Sequence, residues 1–140
     1  MEFTTGPNVW RHFQVMSNEL STPKVLTCPS DRPGMSATNF TFMNNSNVSF
    51  FVGVAATETN PAALLAGDRN ITNTTPVKNG ILNLTTANNT AGWTAEMHGR
   101  VGNIILSDGS VQQVNISGLR AAVQNTGFTS NRLQMPILTP

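Results

Sequence analysis

The stretch EMHGRVGNIILSDGSVQQV, running from Glu96 to Val114, decides how this chain is to be read. It holds His98, and after nine intervening residues the pair Asp108-Gly109, followed by an alternating run that begins at Val111. Two apolar runs separated by an Asp-Gly turn are a strong hairpin signal. The expectation is strand, type I′ turn, strand, with Asp108 and Gly109 as the central residues at positive φ. His98 then stands at the entrance to the first strand, where its ring is expected to bond a turn or a neighbouring backbone group. Asn103 is expected to satisfy loop carbonyls in the same way.

The competing reading is chemical. Ser107 or Ser110 with His98 and Asp108 makes a nucleophile, base and acid on paper, the basis for a hydrolase. The chain lacks a Gly-x-Ser-x-Gly elbow, and a sequence this rich in serine offers many such triples. A metal site from His98, Asp108 and Asp68 or Asp31 has no spacing signature. The seven acidic residues show no spacing that suggests a carboxylate pair. The hairpin is the stronger reading, and no catalytic residue is assigned.

Working outward, NVSFFVGV (Asn47 to Val54) is β-branched and aromatic almost throughout, as a central strand would be. LLAGDRNIT reads as extended, ILNLTT as a strand after an Asn-Gly turn, and NRLQMPILTP as a terminal strand or tail. KVLTC is a short strand candidate closed by the turn PSDRPG, and NFTFM is ambiguous between helix and strand. From Thr5 or Gly6, a cap, the chain reads as one helix to Leu20, with Val9, Phe13, Met16 and Leu20 on one face and Pro23 as the stop. His12 falls on its solvated side, without chemistry. SGLRAAVQNTG is a second helix, capped by Ser117 and ended by Gly127. Residues 1–140 thus form a single α+β domain dominated by an antiparallel sheet.

Composition narrows the functional classes. Charged residues are 11% of the chain, about half the usual share, and the net charge is +1. Without a basic cluster, nucleic acid and anionic membranes are not expected partners. Asn, Ser and Thr replace the charge, which favours strands, turns and hydrogen-bonded loops. Cys28 is the lone cysteine, so no intrachain disulfide forms, and it reads as a small buried hydrophobe rather than a reactive thiol. The Asn-x-Ser/Thr triplets, such as NFT and NLT, are what this composition produces by chance. No run reaches the ~18 apolar residues of a membrane span, and the first residues lack a signal-peptide pattern. Trp93 and Met97, flanking the histidine, read as core. Glu58, in ATETNP, has no derivable purpose.

His-x9-Asp-Gly, with Asn103 five residues after the histidine and Val111 two after the glycine, resembles the C-terminal signature of prepilin-like proteins. These are abundant in Planctomycetes and Verrucomicrobia, where many are assigned as type II secretion pseudopilins. HFQVMSNELSTPKVLTCPSD, NVSFFVGVAATETNP, LLAGDRNIT, GWTAEMH and GNIILSDGSVQQV resemble further blocks of that group, in the same order. The resemblance covers most of residues 9 to 136. It implies a non-enzymatic, pilin-like head of a type II secretion or type IV pilus-like filament, in the periplasm or cell envelope. Its implied partners are copies of itself, other pseudopilins and inner-membrane components of the secretion system.

The family's cleaved leader and long apolar N-terminal helix have no counterpart in these residues. The expectation is a head whose inner-membrane anchor lies in a helix missing from this sequence, and a sheet face left partly uncovered. Major pseudopilins often hold calcium in a C-terminal loop; the candidate ligands here are Asp68 and Asp108, with Asp108 alternatively the turn residue and Asp68 alternatively paired to Arg69 or Arg100 or capping its own loop. No other cofactor is implied. The first alternative to a filament subunit is a stand-alone adhesive or ligand-binding domain of the envelope; the second is a small periplasmic hydrolase using His98 and Asp108.

Overall fold

A computed structural model of the chain describes residues 6–31 and 35–137. Thr5, the second half of the turn PSDRPG (residues 32–34) and the last three residues of NRLQMPILTP lie outside the described residues. Among the described residues the architecture is α+β, a six-stranded antiparallel sheet with three short helices, and no long helix precedes the sheet. Its strands are β1 (Phe50–Gly53), β2 (Leu64–Asp68), β4 (Ile81–Thr85), β6 (Gly102–Leu106), β7 (Val111–Val114) and β8 (Ser130–Gln134). They run in the order β4-β8-β1-β2-β6-β7, every neighbouring pair antiparallel. Two short strands, β3 (Ile71–Thr72) and β5 (Gly92–Trp93), pair separately.

The FFVG strand is central, as its continuous apolar run requires, and the terminal NRLQ segment inserts between β1 and β4. One face of the sheet buries Phe51, Leu82, Leu84, Ile104 and Leu133 beneath helix α3 (Ile116–Asn125), which contributes Leu119 and Val123. Gly102 lets the Trp93 ring close on the backbone of β6: a Cβ there would lie 2.5 Å from the ring. The other face buries Val52 under the N-terminal segments, through Val9, Phe13, Leu26, Met43 and Val48.

Coverage of that second face is uneven. A cross-strand row runs Ile81, Gln134, Val52, Ala66, Ile105, Val111. Gln134 is 0% exposed and Val52 is buried, Ala66 and Ile105 are half-buried, and Val111 is 66% exposed. The apolar row therefore opens to solvent at the β7 edge.

Several local expectations are corrected. The expected long N-terminal helix is two short ones, α1 (Trp10–Gln14) and α2 (Ser17–Leu20). The ladder is interrupted at Val15 and Met16, and both side chains are exposed. His12 is buried, not solvated, because its Nε2 meets Gln134 Oε1 at 2.6 Å on the sheet face. KVLTC is not a strand: Pro23 opens a 3₁₀ turn over Pro23–Leu26, started by Thr22. Phe40–Phe42 is likewise a 3₁₀ turn, capped by Asn39. Asn115 rather than Ser117 caps α3, its side chain accepting the Gly118 N–H at 2.9 Å. Gly127 takes φ +71 just beyond the helix end, where a left-handed residue closes the last turn.

Candidate functional site

The hairpin joins β6 to β7, but its turn is not type I′. Gly109 alone has positive φ (+85); Asp108 does not. Gly109 N–H donates to Leu106 O at 2.9 Å and Leu106 N–H to Ser110 O at 3.0 Å. This is a three-residue loop closed by glycine, a turn followed by a left-handed residue. Asp108 is fixed by the loop instead of occupying a mirror-image turn: its Oδ1 accepts from Ser110 N–H at 2.9 Å and Ser110 Oγ at 2.6 Å. Those bonds hold its carboxyl below the usual aspartate range.

His98 does not face this turn. Its Nε2 lies 3.5 Å from Asp68 Oδ2 and 3.5 Å from Cys28 Sγ. Asp68, at the end of β2, is 2% exposed, and its Oδ2 accepts both Asn103 N–H (2.7 Å) and Asn103 Nδ2 (3.0 Å). Asn103 thus serves a carboxylate, not loop carbonyls, and Asp68 pairs with neither Arg69 nor Arg100. Asp108, by contrast, donates its N–H to Pro61 O, beyond the far end of β2. The two aspartates are separated by more than ~13 Å of strand at ~3.3 Å per residue. They cannot share one calcium ion, and His98 and Asp108 are not brought together.

The residues following Asp68 extend the cluster. Arg69 Nε donates to Asp31 Oδ2 at 2.6 Å, its Nη2 bonds Asp31 Oδ1, and its Nη1 reaches Glu96 at 3.2 Å. The hydrogen bonds to Asp31 raise the Arg69 pKa further above its already high value, with desolvation opposing them. Ser49 Oγ donates to Asp31 Oδ2 at 2.8 Å and accepts the Cys28 N–H at 2.9 Å. Asn70, 1% exposed, donates through Nδ2 to the carbonyls of Thr94 (3.3 Å), Glu96 (3.1 Å) and Val101 (3.1 Å).

Three consecutive residues therefore grip three different pieces of chain. Asp68 holds the start of β6, Arg69 holds Asp31 at the end of the CPSD turn, and Asn70 holds the loop that carries His98. That loop is conformationally demanding: Met97, Gly99 and Arg100 all have positive φ (63, 64 and 69°). Two non-glycine residues in the left-handed region persist only where surrounding bonds over-determine them. Asn70 and Arg69 supply those bonds.

The chemistry of this knot follows from where its polar atoms point. In a Cys-His nucleophile pair, one imidazole nitrogen takes the thiol proton and the other is oriented by an acid. Here Cys28 and Asp68 share the same nitrogen, Nε2, so no relay runs through His98. Among the described residues, no group of three or more His, Cys, Asp or Glu side chains could hold a metal ion.

Sequence reasoning found His98, Asn103 and Asp68 but missed the linking roles of Arg69, Asn70 and Ser49. A run of three polar residues ending an apolar strand was the available signal. Cys28 is half-buried rather than enclosed. Trp93 is core, while Met97 is half-buried on the strained loop, and Glu58 is exposed in a turn. An open cleft elsewhere is lined by Pro7, Asn8, Trp10, Asn44, Asn45 and Ser46. No helix among the described residues is long and apolar enough to cross a membrane. No protein-family model, curated protein or solved structure matches the chain.

Proposed function

We propose that this chain is the head of a pseudopilin-like subunit of a type II secretion or type IV pilus-like filament, a structural role in the cell envelope. The observation that carries it is the convergence of the resembling blocks on one knot. CPSD brings Cys28 and Asp31, LLAGDRNIT brings Asp68, Arg69 and Asn70, GWTAEMH brings Glu96 and His98, and GNIILSDGSVQQV brings Asn103. The sequence features that suggest the family are thus the ones that brace this head. Their polar groups are turned toward one another, which suits a load-bearing fold better than a reaction centre.

The open end of the Val52–Ala66–Ile105–Val111 row supports the same reading. An apolar sheet face covered at one end and open at the other is what a head would present to an apolar helix of its own subunit or of a neighbour. A low surface charge suits close packing of identical heads, where like charges would repel.

The envelope ligand-binding alternative has one specific observation in its favour, the open cleft that sets the Trp10 ring among Asn8, Asn44, Asn45 and Ser46. A concave opening that combines an aromatic side chain with a few polar groups is the usual form of a small-molecule site. The hydrolase alternative rests on His98 with Asp108, and these two face different parts of the fold.

The test is made on the native protein. Intact mass and N-terminal peptide mapping from the membrane fraction of its source should give a longer chain that opens with an apolar helix and an N-methylated first residue. A soluble native protein beginning at Met1 would remove the filament role.

A further inference from the structure

The two edges of the six-stranded sheet are finished differently. At the β4 edge, side chains cap the backbone: Asn73 Nδ2 donates to Asn83 O at 2.8 Å and Gln124 Nε2 to Thr86 O at 2.8 Å. At the β7 edge, V-Q-Q-V carries no charge, no proline and no bulge, the devices that ordinarily blunt an edge strand. Val111, Gln112 and Gln113 are all exposed.

The ladder fixes which backbone groups are free. Leu106 N–H bonds Ser110 O, and the register pairs Ile105 with Val111, Ile104 with Gln112 and Asn103 with Gln113. In an antiparallel pair, bonded and non-bonded positions alternate. Gln112 and Val114 therefore turn their N–H and C=O groups inward to β6, whereas Val111 and Gln113 turn theirs outward. Among the described residues, nothing meets those outward groups.

From this geometry we infer that β7 is a homotypic pairing edge, and that its occupant is a second copy of this chain, joined antiparallel about a two-fold axis at Gln112. The free groups at Val111 and Gln113 lie symmetrically on either side of Gln112, so the strand is complementary to itself. Val111 pairs with the partner's Gln113, and Gln113 with the partner's Val111, each pair exchanging two backbone hydrogen bonds. The side-chain pleat agrees: Val111 and Gln113 stand on the same face, so this register joins like face to like face. The apolar row Ala66–Ile105–Val111 then continues toward the partner's Val111, which lies diagonally across, and the most exposed apolar residue of the row gains a neighbour. An isologous contact of this kind closes at two copies and leaves no further β7 edge. A four-residue edge is a small interface, so the dimer is weak and concentration-dependent. The inference rests on the edge geometry and not on the filament reading.

The test uses the full chain in solution. Sedimentation across a concentration series should show a monomer–dimer equilibrium. Gln113→Pro, which removes an outward N–H, should abolish the dimer and leave the melting temperature within a few degrees of the parent. Gln112→Pro, which removes an inward bond to β6, should instead lower the melting temperature.

A second experiment traps the register. In a Cys28→Ser background, Gln112→Cys should form an interchain disulfide under mild oxidation, since facing non-bonded residues sit ~4.5 Å apart at Cα. Gln113→Cys in the same background should not. A monomer at all concentrations, a dimer that survives Gln113→Pro, or preferential crosslinking at position 113 would each overturn the inference. A dimer with the predicted crosslink in a protein whose native form begins at Met1 would uphold the edge and remove only the filament role.

Discussion

Asp68 and Asn103 are joined twice through one oxygen: Asp68 Oδ2 accepts the Asn103 backbone N–H at 2.7 Å and its Nδ2 at 3.0 Å. That double bond pattern welds the end of β2 to the start of β6 and leaves the carboxylate beside His98. Removing the carboxylate orphans a backbone donor next to a buried site. Asp68→Ala should lose about 2–3 kcal/mol in urea unfolding, while Asp68→Asn, which keeps an acceptor oxygen, should lose less. Equal losses in the two variants would refute the acceptor role.

Arg69 is the counter-charge of a buried carboxylate, Asp31, which is 3% exposed. Removing Arg69 takes away two charge-assisted hydrogen bonds to that carboxylate, each worth about 1.5–3 kcal/mol. Arg69→Met should therefore destabilise more than Glu96→Gln, because Glu96 is mostly exposed and its pairing is screened. The sign of the pH effect follows from the raised Arg69 pKa. Its contribution is full below the ordinary arginine value and lost only as pH rises through the still higher folded value. Unfolding curves from pH 7 to 10 should show no loss assignable to this pair; a fall there that Arg69→Met abolishes would contradict it.

Asp108 is held below the usual aspartate range by Ser110 Oγ and then by the Ser110 N–H. A depressed folded pKa contributes stability above the ordinary aspartate value, and that contribution is lost as pH falls through the lower folded value. A carboxyl-carbon NMR titration should place the Asp108 midpoint below that of a free aspartate, and Ser110→Ala should move it upward. A midpoint indifferent to Ser110→Ala would rule out the hydroxyl as the main cause.

Gly102 is required by packing against Trp93, since an added Cβ would meet three atoms of the indole ring at 2.5–2.7 Å. Overpacking of this kind costs about 1–3 kcal/mol. Gly102→Ala should lower the melting temperature and change the near-ultraviolet signal of the buried indole. Gly99→Ala, which meets no neighbour within 4 Å, should leave that signal intact.

The sheet was legible in the sequence because its signals are local and periodic. FFVG, ILNLT and the hairpin each declare a strand within a few residues. The N-terminal half was harder, because turns there are set by tertiary partners. Leu26 O accepts from Ser49 N–H, and His12 reaches Gln134 across 122 positions of chain, contacts with no counterpart in local periodicity. The knot was half legible. His98, Asp68 and Asn103 stood out by residue type, but their pairing did not, because Asp108 is nearer in sequence and Asp68 nearer in space. The type I′ expectation failed for a related reason: Asp-Gly is compatible with two loop lengths, and the β6–β7 register selects the longer one.

The central claim is that His98 answers to Asp68 and not to Asp108. Double-mutant cycles, with His98→Ala combined in turn with Asp68→Ala and with Asp108→Ala, measure both couplings in one set of unfolding curves. A coupling of at least about 0.5 kcal/mol between His98 and Asp68, with additivity between His98 and Asp108, is the predicted result. Coupling to Asp108 with none to Asp68 would contradict the account.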